Sequence, residues 1–431
     1  MIKTDFFRSI SYLVILSIIT TVIWYFGLEH ISIPVFAGIA IAILIVNKNG
    51  IAVIPFFLNI LFMISQTEWS LSLIPNYLFI VPIALILGFI IHVIRFRPST
   101  FFNGKLTKPL LLLFLSMLLT MYTIDSISLI YAFYFVIGLF FMFVYFFFRS
   151  SLTGDNLKYL IRLFAITGIM ISIQVLIFYL RVDDVVTALK TKNLDLGWGI
   201  SNFVATYLII FISAMFYFIK KYKFHIFWVI VAAFEILALV FTLSRGGVLA
   251  FSITFIFLLF YLFYGYEHKV KMAINLAVAL LILASFVYFK IDYFITIWER
   301  LFADFFADNG RFDLWVEAFQ KFKAHPLFGS GLFARVSDDY FGFYHNTIIH
   351  TVATLGLVGL ISLIWQFVVI IKIFVHKLTL EKTILFIALI GANIHGMVDN
   401  VYYMPQFMII FFIIIAAVEN HDEALLEVEV K

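Results

Sequence analysis

Residues 242–251, TLSRGGVLAF, place an arginine and two glycines between two long apolar stretches. The guanidinium of Arg245 can bind two oxygens of one phosphate group side by side. Gly246 and Gly247 have no Cβ, so a ligand could come close to their backbone. A helix that begins here adds the partial positive charge of its unpaired N–H groups. The segment therefore predicts one half of a phosphate site; the alternative is a charge that serves only membrane orientation.

A histidine in residues 341–360, FGFYHNTIIHTVATLGLVGL, has the position expected of a general base. His345 and Asn346 open an apolar run, so we expect them at the N-terminus of a membrane helix. The positive end of a helix disfavours a charged imidazole, and a base must be neutral to accept a proton. For an isolated histidine, the alternative is a hydrogen bond to lipid headgroups.

A second arginine, Arg311, lies in the segment NGRFDLWVEAFQKFK, residues 309–323. Its spacing predicts a helix that is capped by Asp308 or Asn309 and ended by the following HPLFGSGL. We expect this helix to lie on the outer leaflet, with Arg311 as the other half of the phosphate site. Its apolar residues share one face: Phe312, Trp315, Val316, Phe319 and Phe322.

Two more polar residues are expected at the same rim of the membrane. Asn202 opens an earlier apolar segment, and Asp399 closes the segment before the last one. His395 and Asp399 are spaced i, i+4 and thus share one helical face. They could form a local hydrogen-bonded pair, or orient an acceptor. The predicted substrate-binding residues are Arg245, Arg311, Gly246, Gly247, Asn202, Asn346 and Asp399.

The composition indicates the class of protein that must hold these residues. Of 431 residues, 64% are hydrophobic and 13% are charged, and the mean hydropathy is +1.10. Such values exclude a soluble globular protein and are typical of a polytopic helical membrane protein. The absence of cysteine excludes disulfides and thiolate metal sites. The net charge of +4 is small and is distributed by membrane side, so nucleic-acid binding is not expected.

Apolar windows of membrane-spanning length predict an all-α fold with about 14 helices and a range of roughly 12 to 14. The predicted spans are residues 9–26, 31–46, 50–65, 71–94, 109–122, 127–148, 157–180, 200–219, 224–242, 247–265, 271–289, 346–371, 381–398 and 403–419. The span at 109–122 is short and could be re-entrant instead. The chain then divides into N-terminal spans (1–199), spans that include the arginine turn (200–289), a large extracytoplasmic loop with amphipathic helices (290–345), C-terminal spans (346–419) and a cytoplasmic tail (420–431).

Basic residues predict the orientation, because Lys and Arg favour the cytoplasmic side of short links. With the N-terminus inside, every inner link carries Lys or Arg, whereas the short outer links together carry only Arg245. Lys3 and Arg8 precede a first span that is followed by no small-residue cleavage site, so we interpret it as retained. Both termini are therefore predicted to be cytoplasmic, and the polar residues above extracytoplasmic.

Three motifs, in this order, resemble the O-antigen ligase and polymerase family of bacterial membrane glycosyltransferases. They are SRGGVLAF, then NGRFDLWVEAFQKFKAHPLFGSGL, then YHNTIIHTVATLGLVGLI. The resemblance covers roughly residues 200 to 400, and the first half of the chain agrees only in being a run of spans. It implies glycan transfer at the outer face of the bacterial cytoplasmic membrane, for O-antigen, capsule or exopolysaccharide. The implied donor is an undecaprenyl-diphosphate-linked oligosaccharide, and the implied acceptor is a sugar hydroxyl.

By motif, the family's catalytic residues correspond to Arg245, Arg311 and His345. The resemblance implies arginines on the diphosphate, a histidine at the reacting centre, and neither metal nor cofactor. As a hypothesis, His345 deprotonates the acceptor hydroxyl while it attacks and inverts the anomeric carbon. Lipid bilayer is an expected partner, and other polysaccharide-assembly proteins are further candidates.

Two questions stay open at this level. A polymerase extends another lipid-linked repeat unit, whereas a ligase transfers the glycan to lipid A core or another terminal acceptor; polymerisation is favoured slightly, because a ligase needs a Gram-negative host. A secondary transporter or flippase is the alternative from another class. That class expects charged or broken helices at the bilayer midplane, where Glu235 is the single candidate.

Overall fold

The computed structural model describes residues 4–66, 80–98, 103–120, 129–198, 201–223, 225–264, 269–302, 310–331, 336–337, 340–341 and 343–429. These residues are almost entirely helical. The first half forms α1 (Thr4–Phe7), α2 (Ile10–Phe26), α3 (Glu29–Val46), the 3-10 helix η1 (Gly50–Val53), α4 (Ile54–Leu61), α5 (Ile80–Phe96), α6 (Thr107–Leu119), α7 (Leu129–Ser151), α8 (Leu157–Arg181) and α9 (Val185–Thr191). The second half forms α10 (Ser201–Lys221), α11 (Ile226–Phe241), α12 (Arg245–Phe263), α13 (Lys269–Phe289), α14 (Ile291–Phe302), α15 (Arg311–Ala324), α16 (Thr347–Val375), α17 (Leu380–His395) and α18 (Pro405–Glu429).

Two pairs of two-residue strands accompany these helices. Ser65–Gln66 (β1) pairs in parallel with Gly197–Trp198 (β2), which ties the link after α4 to the link before α10. Val336–Ser337 (β3) and Tyr340–Phe341 (β4) form an antiparallel pair within the outer loop.

The all-helical membrane architecture predicted from composition is confirmed in part. Six helices among the described residues are long and apolar enough to cross a membrane: Glu29–Val46, Leu157–Arg181, Ser201–Lys221, Arg245–Phe263, Val270–Phe289 and Thr347–Val375. Six other predicted spans correspond to apolar helices of 10–17 residues. The number of fourteen crossings therefore stays a prediction.

The predicted spans at 50–65 and 403–419 differ from the structure. The first forms two short helices, η1 and α4, whose residues are all buried. Asn49 caps η1, and Pro55 lies in the first turn of α4. The second, α18, continues to Glu429, so the segment from 420 onward is helical up to that residue and is not a simple tail. Asn420 and Asp422 are buried there. The apolar run of α18 therefore ends before the buried part of the helix does.

Helices α10 and α18 form the centre of the bundle, since nearly every side chain in the apolar part of each is buried. Helix α10 packs on α8, α11, α12 and α17, and α18 packs mainly on α7. Helices α2, α3, α5 and α13 instead expose apolar side chains, as a lipid-facing shell should.

Polar residues close one end of the bundle around the C-terminal half of α18. Arg149 of α7 is fully buried and pairs with Glu419, Nε to Oε2, at 2.8 Å. The hydroxyl of Tyr145 donates to the same carboxylate at 3.0 Å. Lys382 of α17 pairs with Asp422 at 2.9 Å. These buried pairs join three helices at the end opposite to the polar site described below.

A break in α16 ties the segment after α15 to the membrane-type helix α16. The break is at Gly356, whose φ of 63° suits glycine alone. The amides of Ser330 and Gly331, from the segment after α15, donate to carbonyls before the break at 3.0 and 2.8 Å. The carbonyls of Pro326 and Leu327 accept from amides after the break at 2.9 and 3.1 Å. The segment that ends α15 thus satisfies the backbone of α16, as membrane burial requires.

Candidate active site

A cavity of about 140 Å³ gathers residues from five helices at one end of the bundle. It contains most of the predicted polar residues. Four cationic side chains face a single carboxylate, so the cavity is suited to an anion with more than one negative charge. Its wall consists of Lys192, Asn202, Leu243, Ser244, Arg245, Gly246, Arg300, Arg311, His395, Val398 and Asp399.

The turn before α12 holds Arg245 at the cavity. Leu243 has a left-handed backbone with φ 55°, a strained conformation for a branched residue. Ser244 then caps α12, because its Oγ accepts from the amide of Gly247 at 3.1 Å. Arg245 Nε donates to the carbonyl of Arg300 in α14 at 3.0 Å. This hydrogen bond braces α14 against α12.

Helix packing requires glycine at both positions after Arg245, which the sequence did not indicate. A Cβ at Gly246 would lie 2.7 Å from Val398, and a Cβ at Gly247 would lie 2.5 Å from the Cβ of Ala205. Both contacts are too close for a side chain. The glycines let α12 approach α10 and the turn after α17; only Gly246 also lines the cavity.

His345 and Asp399 form a hydrogen-bonded pair beside the cavity. His345 Nδ1 lies 3.0 Å from Asp399 Oδ1, and the imidazole is 31% exposed whereas the carboxylate is 6% exposed. With Nδ1 donating to the carboxylate, Nε2 keeps its lone pair, as a general base requires. His345 has φ 47°, a strained backbone that holds the ring in this place.

Asp399 is held ionised by its surroundings. Burial raises the pKa of this carboxyl, but the hydrogen bond from His345 and nearby positive charge more than offset that effect and bring the pKa below its ordinary value. The amide of Asn400 donates to Oδ1 at 2.8 Å, and Asn202 Nδ2 donates to Oδ2 at 2.6 Å. Each carboxylate oxygen thus has a donor.

The local pair predicted from the i, i+4 spacing of His395 and Asp399 does not form between their side chains. The ring of His395 is buried, and its Nδ1 lies 2.8 Å from Thr206 Oγ1. The two residues are joined through the backbone instead, where the amide of Asp399 donates to the carbonyl of His395 at 2.9 Å. The sequence spacing could not indicate that Asp399 turns toward His345.

Asn346 holds the site together from outside the cavity. Its Oδ1 caps α16 by accepting from the amides of Ile348 and Ile349 at 2.9 and 3.0 Å. Its Nδ2 donates to the carbonyl of Met397 at 2.7 Å. The side chain therefore fixes the turn that carries Asp399 to the helix that follows His345. The geometry gives Asn346 this structural role, and its part in substrate binding stays a prediction.

Arg311 is in the first turn of α15 and reaches the cavity. The predicted caps Asp308 and Asn309 lie outside the described residues, and Gly310 occupies the N-cap position. The predicted apolar face is partly turned outward: Phe312, Val316 and Phe319 are each more than half exposed. Trp315 instead packs inward, on the loop before His345.

Lys192 and Arg300 complete the cationic wall, and neither is among the site residues predicted from the sequence. They come from the short helix α9 and from α14, which contact each other. Burial and the neighbouring arginines lower the pKa of Lys192 to about 8. A signal existed: both are basic residues in long links that the orientation rule places outside. Among the described residues, no three His, Asp or Glu side chains come together as a metal site would need.

The comparison with known families covers the middle of the chain. Residues 230–364 match the family model described as O-antigen ligase. Arg245, Arg300, Arg311 and His345 lie inside the matched residues, whereas Lys192, Asn202 and Asp399 lie outside. No curated protein matches the sequence. The three motifs and this match agree: residues 230–364 of the chain are similar to the O-antigen ligase family.

Proposed function

We propose that this protein is a membrane glycosyltransferase that takes oligosaccharide from a lipid-diphosphate donor and joins it to a sugar hydroxyl. The observation that carries the proposal is the His345–Asp399 pair at a cavity with four cationic side chains. A base next to an anion site is what glycosyl transfer from a diphosphate needs. The family match supports the same class of reaction.

In the proposed reaction, the acceptor hydroxyl oxygen attacks the anomeric carbon of the donor. Its proton passes to Nε2 of His345 as the new C–O bond forms, and the imidazolium is stabilised by the Asp399 carboxylate. The bond from the anomeric carbon to the diphosphate breaks, and the lipid diphosphate leaves with the electron pair. Attack opposite to the leaving group inverts the anomeric centre.

The cationic wall has the task of stabilising the leaving group. Negative charge grows on the bridging oxygen as the bond breaks, and fixed donors in a closed site stabilise that charge without reorganisation. Arg245 and Arg311 present guanidinium groups to the cavity, which bind phosphate oxygens in pairs. No metal or cofactor has a role in this scheme.

Two acceptors are candidates. A ligase joins the finished glycan to lipid A core or a similar terminal acceptor. A polymerase adds one lipid-linked repeat unit to another, for O-antigen, capsule or exopolysaccharide. Both reactions place the same donor and base together, so the site chemistry is common to them.

The proposed setting is the bacterial inner membrane, with the termini cytoplasmic and the cavity at the extracytoplasmic face. The positive-inside distribution of Lys and Arg supports this orientation. The exposed apolar side chains of α14 and α15 would then lie in the outer leaflet, where a lipid-linked donor enters. Other polysaccharide-assembly proteins are candidate partners.

The test is transfer in proteoliposomes from an undecaprenyl-diphosphate-linked glycan, with either a lipid-linked repeat or a lipid A core as acceptor. Wild-type protein should form a ladder with the first acceptor if it polymerises, or a single conjugate with the second if it ligates. His345→Ala should lower turnover by about 100-fold or more, since general base catalysis contributes that much. Near-normal turnover of this variant would exclude His345 as the base. Ile18→Leu, at an exposed position of α2 that does not line the cavity, serves as the control.

A further inference from the structure

Lys192 reaches the cavity from a part of the chain outside the family match. It follows the last residue of α9, and its φ of 58° is left-handed, a conformation that costs energy for a residue with a side chain. Its Nζ donates to Asn202 Oδ1 at 2.6 Å. Lys190, in the last turn of the same helix, is exposed.

A continuous chain of hydrogen bonds leads from this ammonium group to the base. Asn202 accepts at Oδ1 from Lys192 and donates from Nδ2 to Asp399 Oδ2 at 2.6 Å. Asp399 Oδ1 in turn lies 3.0 Å from Nδ1 of His345. Because an amide donates only from nitrogen and accepts only at oxygen, Lys192 fixes which end of Asn202 faces Asp399.

The charges around Lys192 make it sensitive to an anion. Asp399 attracts its positive charge, whereas Arg245 of α12, Arg300 of α14 and Arg311 of α15 repel it. Burial is the largest effect and, with the arginines, brings the pKa of Lys192 to about 8. His395 is the remaining titratable group in the cavity wall. A diphosphate in the cavity would offset the repulsion and keep the lysine protonated.

We propose that Lys192 is a positioning residue that binds the diphosphate of the donor and, through Asn202, holds Asp399 in the orientation that His345 requires. The inference rests on the proposed function, because it names how the same site detects its donor. The diphosphate of a bound donor keeps the ammonium protonated and held at Asn202, so that the base stays aligned while the leaving group is present.

Binding can be tested without any transfer. The amine of Lys192 reacts with trace acetic anhydride only when neutral, so peptide mass spectrometry across pH reports its protonation in the intact protein. Half-maximal labelling is expected near pH 8 and should move to higher pH in the presence of inorganic pyrophosphate. Labelling of Lys190, the internal control, should not respond to pyrophosphate. A Lys192 profile that pyrophosphate leaves unchanged would overturn the inference, even in a protein that transfers glycan.

Kinetics test the coupling to the base. Wild-type kcat/KM for the lipid-diphosphate donor should fall as pH rises through about 8, because the lysine loses its charge. Lys192→Arg should flatten this fall, since a guanidinium stays charged. Lys192→Met should lower both kcat and kcat/KM about tenfold or more, as loss of a hydrogen bond to a charged group does. Lys190→Met is the matched control and should be unchanged.

A double-mutant cycle distinguishes the action of Lys192 through Asn202 from simple electrostatic attraction of the donor. If Lys192 acts through Asn202, the Lys192→Met and Asn202→Ala changes together should lower kcat little more than the worse single change. If the losses in kcat from the two changes multiply in the double variant, or if Lys192→Met changes only KM, the proposed action through Asn202 is refuted. Normal pyrophosphate binding with no transfer by wild-type protein would instead refute the proposed function and leave the anion role of Lys192 intact.

Discussion

The indole Nε1 of Trp315 donates a hydrogen bond of 3.0 Å to the backbone carbonyl of Tyr344. Trp315 is one turn after Arg311 in α15, and Tyr344 directly precedes His345. The Tyr344 hydroxyl lies 3.3 Å from Glu317 Oε1, on the same helix. Two contacts therefore join the helix that presents an arginine to the residue before the proposed base. We expect these two contacts to set the distance between the proposed leaving-group site and the proposed base.

Replacing Trp315 by Phe should keep the ring and remove the donor. A single neutral hydrogen bond contributes about 1 kcal/mol, so transfer should fall about fivefold, with kcat affected because the base and the arginine no longer keep their spacing. The measurement is donor-saturated turnover in proteoliposomes. Phe319→Leu, at an exposed position of α15, is the control. Unchanged kcat would mean that this hydrogen bond has no part in alignment.

Replacing Asp399 by Asn should separate catalysis from donor binding. The amide has no negative charge to stabilise the imidazolium, and its nitrogen cannot accept from the donors that now face both carboxylate oxygens, so kcat should fall by on the order of 10²–10⁴-fold. Because Asp399 is the one acidic side chain among the described residues that line the cavity, its neutralisation should leave pyrophosphate binding equal or tighter. Calorimetric titration with pyrophosphate checks the second part. Weaker binding together with lower turnover would point to a collapsed site instead.

The arginines should not be replaceable by lysine. Arg245 Nε donates to the carbonyl of Arg300, and an ammonium lacks the planar set of donors with which a guanidinium can hold that carbonyl and bind phosphate oxygens in pairs. Arg245→Lys and Arg311→Lys should each lower donor kcat/KM by roughly tenfold or more. Arg181→Lys, at an exposed position of α8, is the matched control. Full activity of either variant would show that charge alone suffices there.

Much of the helical fold could be predicted from the sequence. The predicted span 9–26 is α2, Ile10–Phe26, and the predicted span 157–180 is α8, Leu157–Arg181. Long apolar runs bounded by polar residues determine such helices. The apolar run at 50–65 did not predict the structure correctly, because hydrophobicity cannot distinguish a lipid-facing span from the two short, wholly buried helices η1 and α4. The extension of α18 beyond residue 419 depends on ion pairs with α7 and α17, which no local pattern contains.

The residues of the cavity that belong to sequence motifs could be predicted. Arg245 and Arg311 occur in recognisable segments and do meet in one cavity. Lys192 and Arg300 were missed because the packing of α9 on α14 brings them there, and neither belongs to a local motif. The partner of Asp399 was likewise decided by tertiary structure, since the turn after α17 folds back to His345.

Substitution of Gly356 by Ala should disrupt the joint between the segment after α15 and α16. A Cβ there would lie 2.5 Å from the backbone carbon of Leu327, and φ of 63° is already unfavourable for alanine. Both effects act on backbone that cannot move without losing its hydrogen bonds. We expect the free energy of unfolding to fall by about 2 kcal/mol or more and the thermal midpoint in detergent to fall by roughly 2 °C or more. Gly38→Ala is the control, because a Cβ in α3 at that position meets nothing within 4 Å and alanine favours a helix. Equal midpoints for the two variants would show that the docked segment contributes little to stability.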